Sequence, residues 1–137
     1  MFLGNSTLDP CQWSNLSKTC CKSSGKIYNV IVDGGKIDNL VAKEMVQKLG
    51  LKRMRHPYPY QIGWLEGEHA LEVKDQCLVD FQIGQYKDQV LCDIVDMNSC
   101  HVLLGRPWQY DCRAMHDYFR NVFTIEKGGR KFSLIHL

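Results

Sequence analysis

Val30-Ile31-Val32 is an apolar run that ends in Asp33-Gly34-Gly35, a carboxylate followed by two glycines. A carboxylate at a strand end, with glycines leaving its approach open and backbone amides able to turn toward it, suits acid-base work on a bound substrate. One carboxylate is half of what hydrolysis by aspartate requires. Two that share a proton let the charged member activate water while the neutral member protonates the substrate carbonyl or leaving group. A chain with a single motif of this kind can complete the pair only as a symmetric homodimer, with Asp33 of each subunit meeting at the two-fold axis. A second apolar run, His101-Val102-Leu103-Leu104, ends in Gly105-Arg106 and is the expected partner of the first.

The remaining reactive side chains are weaker candidates. Asp93 and Asp96 lack flanking glycines and read as surface acids, Asp38 reads as a helix cap, and Glu66 and Glu68 flank Gly67 in a hairpin tip. Cys92, Cys100 and His101 are close in sequence, but a histidine between a cysteine and an apolar strand reads as a strand-end residue and not as a general base. The seven cysteines are an odd number, none is in C-x-x-C spacing, and several sit inside apolar runs such as Val90-Leu91-Cys92. Reduced, buried thiols in an intracellular, cytoplasmic protein are therefore expected, with no metal site and no cofactor.

Composition fits an ordinary globular domain, 45% hydrophobic and 23% charged. The net charge of +2 spreads over scattered residues, and the one basic cluster, Lys52-Arg53-Met54-Arg55-His56, reads as a solvated loop, so nucleic acid is not an expected partner. No run reaches the roughly 18 apolar residues of a membrane-spanning helix, and Met1-Phe2-Leu3-Gly4-Asn5 lacks the features of a secretory signal.

The elements that must position Asp33 are mostly strands. Leu16–Cys21 and Lys26–Val32 form an expected hairpin around Lys22-Ser23-Ser24-Gly25. Leu40, Val41, Met45, Val46 and Leu49 fall at helical spacing, which predicts a main helix near 38–49, capped by Asp38 or Asn39 and stopped by Gly50. His56-Pro57-Tyr58-Pro59-Tyr60 must be extended. A strand to Trp64, a hairpin tip at Leu65-Glu66-Gly67-Glu68, and strands over 76–83 and 89–95 follow, with Cys77, Val79, Phe81 and Ile83 on one face. Val102–Gly105 is a short buried strand, residues 106–111 a short helix, and 122–135 a last hairpin. The expected architecture is a loose lead-in over 1–12 and one mostly β, closed barrel-like domain over 13–137.

From about Gln12 to Leu137 the chain resembles the protease-like domain of plant Ty3/Gypsy retrotransposon polyproteins, within the retropepsin superfamily. The resemblance rests on five blocks in order: Gly25–Gly35, Leu49-Gly50-Leu51, His56–Tyr60 with Gly63-Trp64, Val90–Met97, and Leu103-Leu104-Gly105-Arg106-Pro107-Trp108. It implies a retropepsin (acid protease) fold and an aspartic endopeptidase that cuts a polyprotein as a homodimer. Asp33 would then be the catalytic residue, and Gly34 and Gly35 would form the active-site loop. Trp64, Leu65, Glu66 and Gly67 would belong to a flap over the bound peptide, and Leu103, Leu104 and Gly105 to the strand supporting the loop. Gly34 departs from the pattern, because such enzymes place Thr or Ser there and its hydroxyl bonds across the dimer. That departure supports a second function class, an inactive retropepsin-like dimerisation or peptide-binding module.

Overall fold

Alternation along Lys26–Asp33 (β2) turns Tyr28, Val30 and Val32 inward and leaves Lys26, Ile27 and Asn29 in solvent, so the strand carries Asp33 out of the core at its end. In the computed structural model, which describes residues 16–62 and 71–135, β2 pairs antiparallel with β1 (Leu16–Ser23) through a tight turn at Ser24-Gly25. The lead-in over 1–12 lies outside the described residues, as do Trp64, Leu65, Glu66 and Gly67 of the expected flap.

Beyond the Asp33 loop the chain departs from the sequence expectation. Leu40–Ala42 is a strand (β3), and the main helix occupies only Lys43–Leu49 (α1). Leu40 and Val41 fit the helical pattern, but both are fully buried in the sheet, where they pair with Leu103 and Val102 and with Asp93 and Ile94. Neither Asp38 nor Asn39 caps α1, whose first turn follows Ala42 without a side-chain cap. Its end is as expected: Gly50 takes φ 61° and closes the helix in a left-handed turn.

Met54–Ile62 (β4) and Leu71–Ile83 (β5) pair antiparallel, with Ile62 opposite Leu71. The register slips between Arg55 and Tyr60, where Pro57 and Pro59 have no N–H to give to the ladder. The basic cluster thus runs into a strand and not a loop, although Lys52, Arg53 and Arg55 remain exposed. β5 joins Tyr86–Val95 (β6) by a two-residue turn, and Cys77, Val79, Phe81 and Ile83 are buried on one face as the alternation predicts.

The sheet is completed by Val102–Leu104 (β7), which enters the middle of it. The strand order is β1-β2-β7-β3-β6-β5-β4, with a further contact between β1 and β5 at Lys22 and Gln82 that closes the sheet partially on itself. Arg106–Asp111 forms the short helix (α2). Met115–Asp117 (β8), Val122–Lys127 (β9) and Arg130–Ile135 (β10) make a separate three-stranded sheet. No helix among the described residues is long and apolar enough to cross a membrane.

Candidate active site

β2 delivers Asp33 to the start of a six-residue loop, 34–39, that returns to the sheet as β3. β7 runs between the strand that enters this loop and the strand that leaves it. It pairs parallel with β2 through Val30–Val102, Ile31–Leu103 and Val32–Leu104, and antiparallel with β3. Leu103 and Leu104 are buried, so the loop stands on a packed three-strand base.

Asp33 is partly exposed, and its Oδ1 accepts the N–H of Gly35 at 2.8 Å. Lys36 N–H donates to the Asp33 carbonyl at 3.3 Å, which closes the turn. Neither Gly34 nor Gly35 occupies the left-handed region, so this turn does not demand glycine for its backbone angles. Space is the constraint at Gly35, where a Cβ would lie 3.2 Å from Asp33 Oδ1 and crowd the amide bond to the carboxylate. Gly34 is different. A Cβ there would meet only Gln109 Oε1, at 3.7 Å.

Three residues to which the sequence reading gave no role at the Asp33 loop surround it, and two of them hold it. Arg106 donates from Nε to the Gly34 carbonyl at 3.2 Å and from its backbone N–H to the Lys36 carbonyl at 2.9 Å. Asn39 is buried, and its Oδ1 accepts from the N–H of Gly105 at 2.9 Å and of Trp108 at 3.4 Å, so it caps α2 and not α1. Gln109 places its carboxamide beside Gly34, with Nε2 buried and unpartnered. The signal for Arg106 and Asn39 was available in part: an arginine directly after an apolar-Gly strand, and an Asn at a loop end. Their shared target lies far along the chain.

α2 is itself anchored from below. Trp108 Nε1 donates to Tyr86 Oη at 2.8 Å, Tyr86 donates to Asp88 Oδ2 at 2.5 Å, and Lys127 pairs with Asp88 Oδ1 at 3.0 Å. Burial pushes the Asp88 carboxyl up, but hydrogen bonds from Tyr86 and Lys127 outweigh it and leave it below the ordinary value.

Asp93 is not the surface acid its sequence context predicts. It is 8% exposed, accepts a hydrogen bond from Tyr60, and faces His56 Nε2 at 3.3 Å. His56 Nδ1 accepts the Tyr58 N–H at 2.9 Å, so its proton sits on Nε2 and points to Asp93. Burial raises the Asp93 carboxyl, the Tyr60 and His56 contacts lower it, nearby Asp38 raises it, and the net direction is up. The protonated form therefore stabilises the fold. That contribution is complete below pH ~4 and is lost as pH rises through the folded value. Urea unfolding from pH 4 to 7 should show wild-type stability falling relative to Asp93→Asn as pH rises. A difference that does not vary with pH would contradict the buried arrangement.

Tyr60 also lines a cleft of about 360 Å³ with Gly35, Lys36, Ile37 and Ile62, directly beside the Asp33 loop. The cysteine–histidine alternative does not assemble. His101 Nδ1 accepts the Asn29 N–H at 3.0 Å and its ring packs edge-on to Tyr28, a strand-end role. Burial pushes the Cys100 thiol up to about 11 and Cys92 higher still, so neither supplies a thiolate near neutral pH. The six described cysteines are unpaired, and no group of three or more His, Cys, Asp or Glu among the described residues could hold a metal ion.

No family model matches the chain, and no curated relative does. Solved structures do. The chain is similar to the retroviral protease-like domain of Ddi1 from Leishmania major, with TM-score 0.67 at 15% identity over 90% of this chain and 94% of that one. It is also similar to EIAV protease complexed with the inhibitor HBY-793, with TM-score 0.54 at 16% identity over 70% and 86%. A third likeness is to a retropepsin-like aspartic protease from Rickettsia conorii, with TM-score 0.52 at 18% identity over 87% and 84%. The fold is that of the retropepsin-like aspartic protease domains.

Proposed function

We propose that this chain is a retropepsin-like aspartic endopeptidase of retroelement origin, of the plant Ty3/Gypsy type, acting on a polyprotein as a homodimer with one Asp33 per subunit. The observation that carries the proposal is the Asp33 loop: a carboxylate at the end of β2, bonded by the Gly35 amide, above a β7 strand threaded between the loop's two stems. Two such loops facing each other would hold two carboxylates around one water, the arrangement that hydrolysis by aspartate requires. The cleft beside Gly35 and Tyr60 is where an extended peptide would lie. The five sequence blocks support the retroelement origin, and the fold likeness supports the reaction class.

Gly34 favours a second function, a peptide-binding or dimerisation module without turnover, because no side-chain hydroxyl is present there to tie two loops together. Cleavage of peptides spanning the junctions of a related polyprotein, assayed with the full chain from pH 4 to 7, separates the two. Wild-type cleavage that falls at least ~1,000-fold in Asp33→Asn would establish the enzyme. Peptide binding without cleavage, in wild type and Gly34→Ser alike, would establish the module.

A further inference from the structure

We propose that Gln109 is a positioning residue for Asp33: from α2 its carboxamide turns a donor toward the Asp33-Gly34 turn and holds the carboxylate in place. The proposal rests on the reading of Asp33 as the catalytic acid. It adds a side chain, far along the sequence, that sets how firmly that acid is held.

The start of α2 already grips the Asp33 loop along its length. Arg106 bonds the Gly34 and Lys36 carbonyls, and Asn39 Oδ1 takes the N–H groups of Gly105 and Trp108. Gln109 follows directly, and its own backbone is fixed. Its N–H donates to the Gly105 carbonyl at 3.1 Å, and its carbonyl accepts the Ala114 N–H at 2.8 Å. Trp108 beside it is buried and tied to Tyr86. The side chain therefore leaves a rigid base. Its Oε1 lies 3.7 Å from the point where a Cβ at Gly34 would stand, and apart from the chain neighbours of Gly34 no other atom of the described residues comes within 4 Å of that point.

Gly34 does not sit in the left-handed region, so its backbone angles do not call for glycine, and what the residue contributes is open space in front of the carboxamide. Gln109 Nε2 is buried and makes no hydrogen bond. Buried amides are rarely left so, and one kept beside a candidate catalytic loop is a donor without its working partner. A half-turn of the terminal carboxamide exchanges its oxygen and nitrogen, which brings the amide N–H groups to the position against Gly34. The acceptors of the turn are each engaged once: Asp33 Oδ1 by the Gly35 N–H, the Asp33 carbonyl by the Lys36 N–H, and the Gly34 carbonyl by Arg106 Nε. Every one of these oxygens has a second lone pair for the amide. A neutral donor there steadies the turn and favours negative charge on it.

Variants of the full chain that keep the size of this side chain test the assignment. Gln109→Met removes both polar ends, and Gln109→Glu replaces the donor by a negative charge. In Gln109→Met the backbone order parameters of Gly34 and Gly35, from NMR relaxation, should fall from the rigid value of ~0.85 toward ~0.6, with Gly50 at the end of α1 unchanged as the check on folding. Its kcat for peptide cleavage should drop about fivefold at unchanged KM, the rate equivalent of one neutral hydrogen bond while Arg106 and Gly35 still hold the turn. Gln109→Glu should move the acid limb of the pH–rate profile to higher pH by about half a unit or more, because a negative charge beside the turn makes Asp33 harder to ionise. Unchanged order parameters in Gln109→Met would overturn the assignment whether or not the wild type cleaves. A looser turn with kcat and the pH profile unmoved would overturn it too, since Gln109 would then be structural only. A wild type that fails to cleave, with the turn loosened in Gln109→Met, would instead end the endopeptidase reading and leave the contact standing.

Discussion

Gly105→Ala is expected to lower the melting temperature by on the order of 10 °C or more. Gly105 is buried where β7 passes under the Asp33 loop. A Cβ there would lie 2.9 Å from the Lys36 carbonyl oxygen and closer still to the Asp38 carbonyl. Both neighbours are backbone, so no side-chain rotation relieves the clash, and the cost belongs at or above the upper end of the ~1–3 kcal/mol typical of overpacking. The displacement would also strain the Gly105 N–H to Asn39 and Arg106 N–H to Lys36 bonds, each worth ~1 kcal/mol. Together these are a large fraction of the ~5–15 kcal/mol that holds a domain folded. Gly34→Ala is the matched control, because its Cβ meets only Gln109 Oε1 at ordinary contact distance, and its melting point should stay within about 2 °C. Thermal denaturation followed by circular dichroism compares the two. Equal melting points for both variants would mean that β7 and the loop do not approach as closely as described.

That Gly105 is indispensable was only partly legible in the sequence. The runs ending in Asp33 and Gly105 were visible because each is apolar, short and punctuated by glycine. Their pairing as parallel neighbours follows from a chain crossing that no local pattern records. β3 was hidden for a related reason: Leu40 and Val41 satisfy a helical period as well as a strand, and only the burial of both faces between β6 and β7 selects the strand. β8 gave no alternation to read, since its inward residue is His116 and its outward residues are Met115 and Asp117. Asp93 was misjudged because its partners, His56 and Tyr60, come from a strand whose register is bent by two prolines. Charge signals a surface in sequence, and only tertiary contacts reveal a paired, buried carboxylate.

Gly34→Ser is expected to raise kcat/KM for peptide cleavage by ~10–100-fold if the chain cleaves peptides as a dimer. The substituted residue fits without backbone strain, because Gly34 is outside the left-handed region and its Cβ position is open apart from Gln109 Oε1 at 3.7 Å. A hydroxyl at this point has two partners within prospect. It can reach the carboxamide of Gln109 in the same subunit, whose Nε2 is buried without a partner, or the facing loop of the second subunit. Either bond stiffens the turn that carries Asp33, already fixed on its other side by Arg106 Nε on the Gly34 carbonyl. The gain in stability should be small, ~1 kcal/mol per bond. The gain in rate should be larger, since small displacements at a reacting centre can cost ~100-fold. Gln109→Leu in the Gly34→Ser background decides between the partners. Retained acceleration assigns the hydroxyl to the dimer contact, whereas a return to the wild-type rate assigns it to Gln109. An unchanged rate in Gly34→Ser itself, with dimerisation intact, would show that the missing hydroxyl does not limit this site.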